Sequence, residues 1–455
     1  MSCRMIPDPA DLSRRAVLGV AAATATAAAT AAATAAVAPA AQAAAPADHY
    51  VLRNVRLETG YDHDGEGVSG TRTALFNVAI AHGRIAAVTP AGATAPGVKA
   101  YDARGLLMLP AFRDMHIHLD KTFYGDPWRA PRLKHGIPGQ IAIEQRLLPG
   151  MLPGVEAHAD RLVSLCQSKG TTFARSQCNV DPVVGVKNLV HLKATLDCRA
   201  GTFGREIVAF PQHGLVSAHV EPLMREAMSL GATHVGGIDP TTLDGGMERS
   251  VDTVLQIALD AKAPIDMHLH EPGPSGIAAI RRIAARVGEE PSLKGRVTFS
   301  HCFCLEALSE PEAADMADLM AHAGMSVAST VPMGPKVMPI PTLLARGVPV
   351  YLGTDTVVDF WGVFGQCDVL LKTWIACQMY GWSDEFGISQ SLRLATGGPI
   401  PLSPTGQQLW PKPGDAADIV LVKAACSAEA VARMAPRLTV LHQGRLAAGA
   451  FPRAI

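Results

Sequence analysis

Asp114-Met115-His116-Ile117-His118-Leu119-Asp120-Lys121 directly follows the apolar run Leu106-Leu107-Met108-Leu109. Residues two apart on an extended strand share a face, so the two imidazoles converge at the end of a buried strand, placed to hold a divalent metal. Three further groups each close a short apolar run. His268 follows Pro264-Ile265-Asp266-Met267, His301 follows Val297-Thr298-Phe299-Ser300, and Asp355 follows Val348-Pro349-Val350-Tyr351-Leu352-Gly353-Thr354. Polar side chains repeatedly set at strand ends are what a parallel barrel needs to build a site at one face.

Outward from these runs, short apolar strands alternate with helical stretches. The strands are expected at 112–118, 172–178, 206–210, 234–238, 265–268, 297–301, 326–331 and 349–354, and the clearest helices at 156–168, 222–230, 251–261, 277–287 and 311–323. Eight strands favour a closed (β/α)8 TIM barrel over an open doubly wound sheet, and no G-x-G-x-x-G turn follows the first strand. Residues 50–109 alternate as strands, with a hairpin expected at His82-Gly83. A matching pattern returns at Ala417 to Val422 and Leu438 to Leu446, so the two ends are expected to pair into a small β-sandwich. The expected division is a leader over 1–43, sandwich over 44–109, barrel over 110–400 and sandwich again over 401–455.

The chain has 455 residues and is 48% hydrophobic, enough for one large barrel and a small extra domain. Lys plus Arg (40) nearly cancel Asp plus Glu (41), which gives no electrostatic reason to expect nucleic acid or an anionic membrane as partner. Ser13-Arg14-Arg15-Ala16-Val17-Leu18-Gly19 is a twin-arginine pattern, followed by an Ala/Thr tract and the A-x-A site Ala41-Gln42-Ala43. The expectation is a Tat signal peptide and a periplasmic or secreted protein with no stable membrane association once it is cleaved. Of nine cysteines, all but Cys3 lie beyond that leader, mostly on apolar faces where they read as small core residues. Cys302-Phe303-Cys304 beside His301 is the one spacing compatible with metal.

Three imidazoles (His116, His118, His268) and the Asp355 carboxylate make a donor set suited to one Zn²⁺ or Fe²⁺ and poor for Mg²⁺ or Ca²⁺. Glu271, three residues past His268, is placed to shuttle a proton without ligating. His270 reads as an extra ligand, a pocket residue or, preferably, a loop histidine. His301 is either a second-metal ligand or a hydrogen-bond donor to the reacting group.

His116-Ile117-His118-Leu119-Asp120, Val208-Ala209-Phe210-Pro211-Gln212, Ile265-Asp266-Met267-His268, Ser300-His301 and Trp361 together resemble the amidohydrolase superfamily, in its cytosine-deaminase-like branch. The resemblance covers nearly all of the chain after the leader. It implies that His116, His118, His268 and Asp355 ligate the metal, Glu271 shuttles the proton, His301 polarises the reacting group, and Gln212 and Trp361 face the substrate. Two-metal barrels of this kind often carry a carbamylated lysine at the end of the fourth strand, and 234–239 has none, so one metal is expected.

The chain departs from bacterial cytosine deaminases at several points. Thr356 stands where they have a second aspartate and could itself contact substrate, Arg175-Ser176-Gln177-Cys178-Asn179 replaces Arg-Thr-His-Val-Asp, and His213 replaces a glutamate. The loop Pro332-Met333-Gly334-Pro335-Lys336-Val337-Met338-Pro339 is shorter and richer in proline. The implied reaction is metal-assisted hydrolytic deamination of a cyclic amidine or other nitrogen heterocycle, with cytosine itself in doubt. The alternatives are hydrolysis of a cyclic amide or an N-alkylamino-triazine, and a periplasmic metal- or ligand-binding protein on an inactive barrel. Homo-oligomerisation is common in the branch. The unrelated zinc deaminases need P-C-x-x-C, which is absent here.

Overall fold

A computed structural model describes residues 49–92, 97–130, 136–334 and 337–455. The expected leader, its cleavage site, Cys3, Pro335 and Lys336 lie outside the described residues. The first five strands are β1 (His49–His63), β2 (Val68–Ala81), β3 (Arg84–Pro90), β4 (Ala100–Asp102) and β5 (Leu107–Pro110). After them come β6 (Phe112–Ile117), α1 (Gly136–Met151), α2 (Val155–Ser168), β7 (Thr171–Asn179), α3 (Lys187–Cys198) and β8 (Gly204–Phe210). The alternation continues through α4 (Glu221–Ser229), β9 (His234–Ile238), α5 (Met247–Ala261), β10 (Ile265–His268), α6 (Pro274–Glu289) and β11 (Val297–Ser300). It ends with α7 (Glu310–His322), β12 (Ser326–Ser329), α8 (Ile340–Ala345), β13 (Val350–Leu352), α9 (Val369–Tyr380) and α10 (Glu385–Thr396). The strands β14 (Ile419–Val422), β15 (Arg437–His442), β16 (Arg445–Gly449) and β17 (Arg453–Ala454) complete the chain, with α11 (Ser427–Ala432) between β14 and β15.

Strands β6 to β13 form an eight-stranded sheet in sequential order with parallel pairing throughout, each buried on both faces by side chains such as Phe112, Ile207, Val235 and Phe299. The sheet closes between its first and last strands. Asp355 N donates to His116 O at 2.7 Å, and His118 N donates to Asp355 O at 3.2 Å. Asp114, wholly buried, reinforces this seam by accepting from Thr354 N (3.1 Å), Thr354 Oγ1 (2.5 Å) and His116 N (3.2 Å). The eight expected strands are all present, with ends shifted by at most two residues.

Both chain ends do pair, with β14 antiparallel to β5. The sheet differs from a sandwich of separate sheets in that hydrogen bonds join all nine strands into one, branched at β1, which pairs with β2 on one side and with β4 and β5 on the other. Register shifts along β1, after Leu52, Glu58 and Asp62, allow one long strand to turn between partners. The arms of β1 and β2 run well past the apolar stretches that mark them in the sequence. His82-Gly83 and Gln443-Gly444 each have positive φ at both positions, as two-residue hairpin turns require, and the two turns touch: a Cβ on Gly83 would lie 3.2 Å from that of Gln443. Five of the eight described cysteines are buried free thiols, in keeping with a reading of most of them as small core residues. Cys166 of α2 and Cys367, before α9, form a disulfide, whereas Cys302 and Cys304 are buried free thiols with sulfurs 4.0 Å apart. No described helix is long and apolar enough to cross a membrane.

Gly353 sits where the seam is tightest, and a Cβ there would lie 2.5 Å from His116 O. Gly353→Ala is expected to cost about 1–3 kcal/mol in chemical denaturation and to reduce bound metal in elemental analysis. Unchanged stability and metal content would show that the seam yields without effect on the site.

Candidate active site

Strand ends bring the expected ligands together. His116 comes from β6 and His118 directly follows it, His268 comes from β10, His301 follows β11 and Asp355 follows β13. The ring centroids of His116 lie 4.6 Å from those of both His268 and His301, and His268 is stacked on Phe210 at 3.9 Å. Asp355 Oδ1 is 3.3 Å from His116 Nε2 and 3.4 Å from His118 Nε2. His116, His118 and His268 offer ligand atoms within 4.8 Å of one another, as do His116, His301 and Asp355. Both sets share His116 and so describe one centre.

The tautomer of His116 follows from its neighbours. Arg175 pairs with Asp266 at 3.0 Å, Ser300 Oγ donates to Asp266 Oδ1 at 2.5 Å, and Ser300 Oγ lies 2.7 Å from His116 Nδ1. A hydroxyl whose proton goes to Asp266 accepts from His116 Nδ1–H, which leaves Nε2 with its lone pair facing Asp355. Two acceptors at that distance call for a cation between them. Nitrogens of His116, His118, His268 and His301 are buried without a hydrogen-bond partner, and buried polar atoms so left are costly unless something fills the space. The donor set therefore fits a divalent metal.

Electrostatics favour the ligating forms. Burial, aided by the charge on Lys121, pushes His118 down to about 4. Burial and the surrounding imidazoles also hold His268 and His301 well below the usual range, so all three rings are neutral at pH 7. Burial opposes ionisation of Asp355, yet contact with His116 and His118, with His301 near, keeps it well below the usual carboxylate range.

A cavity of about 390 Å³ opens above this centre, lined by His118, His268, His301 and Asp355 together with Lys121, Gln212, His270, Thr356 and Trp361. Gln212, Trp361 and Thr356 line it, and Glu271 does not. Asp239, just after β9, accepts from the backbone N–H of His270 (2.6 Å) and Glu271 (3.2 Å). Glu271 Oε1 accepts from Thr241 N (2.6 Å), Thr242 N (2.7 Å) and Thr242 Oγ1 (3.2 Å), while its Oε2 is buried without a hydrogen-bond partner. His270 takes the wall position instead, its Nδ1 held by Asp239 Oδ2 at 2.8 Å. It lies on the loop after β10 and lines the cavity from there.

The sequence reading missed a second polar group. Lys121, buried at the cavity wall, donates to Glu144 Oε2 (3.1 Å) and Gln212 Oε1 (2.8 Å), while Trp361 Nε1 donates to the same Glu144 oxygen at 2.6 Å. Asn179 donates to the other Glu144 oxygen, and His213 Nε2 lies 3.6 Å from it. Lys121 stands within the quoted motif, three residues after His118, and was open to reading. Glu144 sits on α1 with nothing in its spacing to single it out. Burial opposes both charges, but each overcomes it for the other: Glu144 falls well below the carboxylate range and Lys121 rises. The departures noted in the sequence also find places. Arg175 and Asn179 tie the site to its surroundings, and His213 bridges Glu144 and Asp181.

The barrel and its histidine–aspartate centre define a metal-dependent hydrolase. The chain belongs to the amidohydrolase family, whose profile matches residues 155–447, and it is a hydrolase of carbon–nitrogen bonds. It is 49% identical over 407 residues to the uncharacterized protein YahJ of Escherichia coli strain K12, covering 88% of each chain. It is similar in structure to N-isopropylammelide isopropylaminohydrolase from Burkholderia multivorans ATCC 17616, with TM-score 0.77 and 28% identity over 88% of this chain and 97% of that one. It shares the fold of 5-methylcytosine deaminase from Klebsiella pneumoniae, with TM-score 0.71 and 23% identity over 89% and 98% of the two chains.

Removing one partner of a buried ion pair leaves an uncompensated charge. Lys121→Met is expected to destabilise by about 3–5 kcal/mol, and Lys121→Met with Glu144→Gln by less, in denaturant titrations. The sign with pH is fixed by the two shifts. The depressed Glu144 contributes above the ordinary carboxylate range and is lost as pH falls, and the raised Lys121 contributes until pH climbs through its elevated value. A double variant as unstable as the sum of the singles would show that the two side chains do not stabilise each other.

Proposed function

We propose that this protein hydrolyses the bond between a ring carbon of a small nitrogen heterocycle and its exocyclic nitrogen, releasing ammonia or a small alkylamine. The observation that carries the reading is the convergence of His116, His118, His268, His301 and Asp355, with buried unpartnered nitrogens, at the floor of a cavity walled by Lys121, Gln212, His270 and Thr356. Likeness to an isopropylaminohydrolase supports the N-alkyl form of the substrate as well as the free amine.

One Zn²⁺ or Fe²⁺, held by His116, His118, His268 and Asp355, would supply the Lewis acidity that makes water nucleophilic at neutral pH. Asp355 takes the proton as water oxygen bonds to the ring carbon. His301, on the same wall, stabilises the charge that builds on the ring nitrogen as the carbon becomes tetrahedral. His270 donates Nδ1–H to Asp239, so its other ring nitrogen carries a lone pair; it takes up the proton that water gave to Asp355 and passes it to the departing amine, which leaves with the electron pair of the broken bond. Lys121 spends two of its three N–H bonds on Glu144 and Gln212, and the third meets an acceptor on the substrate. That favours a ring bearing oxygen, and Thr356 in place of an aspartate suits the same ring. Passage through the Tat route belongs to the proposal, and the Cys166–Cys367 disulfide supports an oxidising destination.

Metal-replete protein is expected to release stoichiometric ammonia or alkylamine from amino- and N-alkylamino-triazines and pyrimidines, with oxygen from labelled water in the ring product. Retained metal with no amine from any compound would overturn the reading in favour of cyclic-amide hydrolysis or binding. His270→Asn is expected to lower kcat by about 100-fold or more with metal content kept, and Glu271→Gln chiefly to lower the melting temperature. A larger kcat loss for Glu271→Gln would return the proton shuttle to Glu271.

A further inference from the structure

A second cavity of about 380 Å³ adjoins the first and shares three of its walls, His270, Phe303 and Pro332. Beyond them it is bounded by Pro272, Ala307, Gly334 and Glu306. Phe303 stands at the junction, its ring 5.8 Å from that of His270 and 5.4 Å from that of His301. The first cavity presents donors and metal-type ligands. Among the described residues the second is walled by two prolines, a phenylalanine, an alanine and a glycine, with His270 and Glu306 also at its edge. Pro332 and Gly334 belong to the proline-rich loop by which this chain departs from bacterial cytosine deaminases, so that departure borders the new space.

We propose that this adjoining groove is a substrate subsite, and that the natural substrate carries an uncharged alkyl or aryl substituent that passes Phe303 and lies against Pro272, Pro332 and Ala307. The proposal rests on the hydrolytic reading above and deepens it by naming the class of substituent. Continuity fixes the occupant: a group entering the groove past His270 and Phe303 is joined to whatever reacts beside His301. A bare ring is held within the first cavity and leaves the second to water, whereas a chain of three to five carbons or a benzyl group covers apolar wall that water solvates poorly. A chain ending in carboxylate would lose hydration against these apolar walls and is disfavoured.

The test uses the metal-replete full protein with a series of aminotriazines bearing amino, methyl, propyl, butyl, benzyl and ω-carboxybutyl substituents, each measured for kcat/KM and, in competition, for inhibition by its non-hydrolysable oxo analogue. The expected result is a rise in kcat/KM and in inhibitor affinity of about two- to fourfold per added methylene up to butyl, with the carboxylate at least tenfold worse than butyl. Ala307→Trp, checked for an unaltered melting temperature, is expected to reduce the butyl-to-methyl ratio of kcat/KM at least tenfold. Flat or falling values along the series in both rate and inhibition would overturn the subsite while leaving the hydrolytic reading intact. No turnover with any member, while inhibitor affinity still rises with chain length, would overturn the hydrolytic reading and keep the subsite.

Discussion

Closure of the barrel and assembly of the metal-type centre are one event in this protein. The hydrogen bonds that join the first and last strands run between the backbones of His116, His118 and Asp355, whose side chains meet at the floor of the cavity. Misplacing the last strand by a single residue would move Asp355 to the opposite face and break the seam together with the donor set. Asp114 adds a side-chain clasp across the same join, and burial raises its carboxyl to about 6 against the lowering effect of those hydrogen bonds. Gly353 allows the backbones to approach closely enough for these bonds to form. The geometry of the site thus inherits its accuracy from the most constrained part of the fold, as a preorganised centre requires.

Around the seam, polar burial is organised in two layers. Below lies the chain Arg175, Asp266, Ser300, His116, which fixes a tautomer from a distance through ordered donors and acceptors. Beside it lies the Lys121–Glu144 pair with Gln212, Trp361 and Asn179. An isolated charge in either place would be untenable, and each is held by at least two partners. The β-domain has its own apolar core, with Tyr50, Ile80, Trp410 and Leu441 among its members, so the two chain ends are ordered without drawing on the residues of the site.

Much of this was legible in the chain because strand ends write their function in short runs. An apolar stretch followed by His or Asp specifies both a buried strand and the group at its tip, which marks β6, β10, β11 and β13, and the other barrel strands were located as short apolar runs alternating with helical stretches. The β-domain was legible as pairing ends, but not as one branched sheet, since bulges along β1 leave no mark in an apolar pattern. Glu144 was invisible for a related reason. It projects from a helix with weak amphipathicity into a site assembled from residues far away in sequence, and no spacing rule connects it to Lys121. Which of Glu271 and His270 lines the cavity was not legible, because an offset of three residues fixes direction only while the strand continues. Asp239, reaching over from the neighbouring strand, decides where it stops.

The charge of the pocket has been moved rather than removed, and this bears on what the protein can recognise. Thr356 and His213 stand where carboxylates are expected from the resemblance, while Glu144 supplies one from α1 and binds it to Lys121. A free carboxylate at the wall accepts from ring N–H and amino groups. A carboxylate already satisfied by a lysine, an indole and an amide offers little to a substrate and instead fixes the buried Lys121 cation at the cavity wall. The reaction centre and the recognition wall are therefore separable. The first is set by the closing strands, and the second by a helix and loops that can change without disturbing the seam, which is how one barrel comes to hydrolyse different rings.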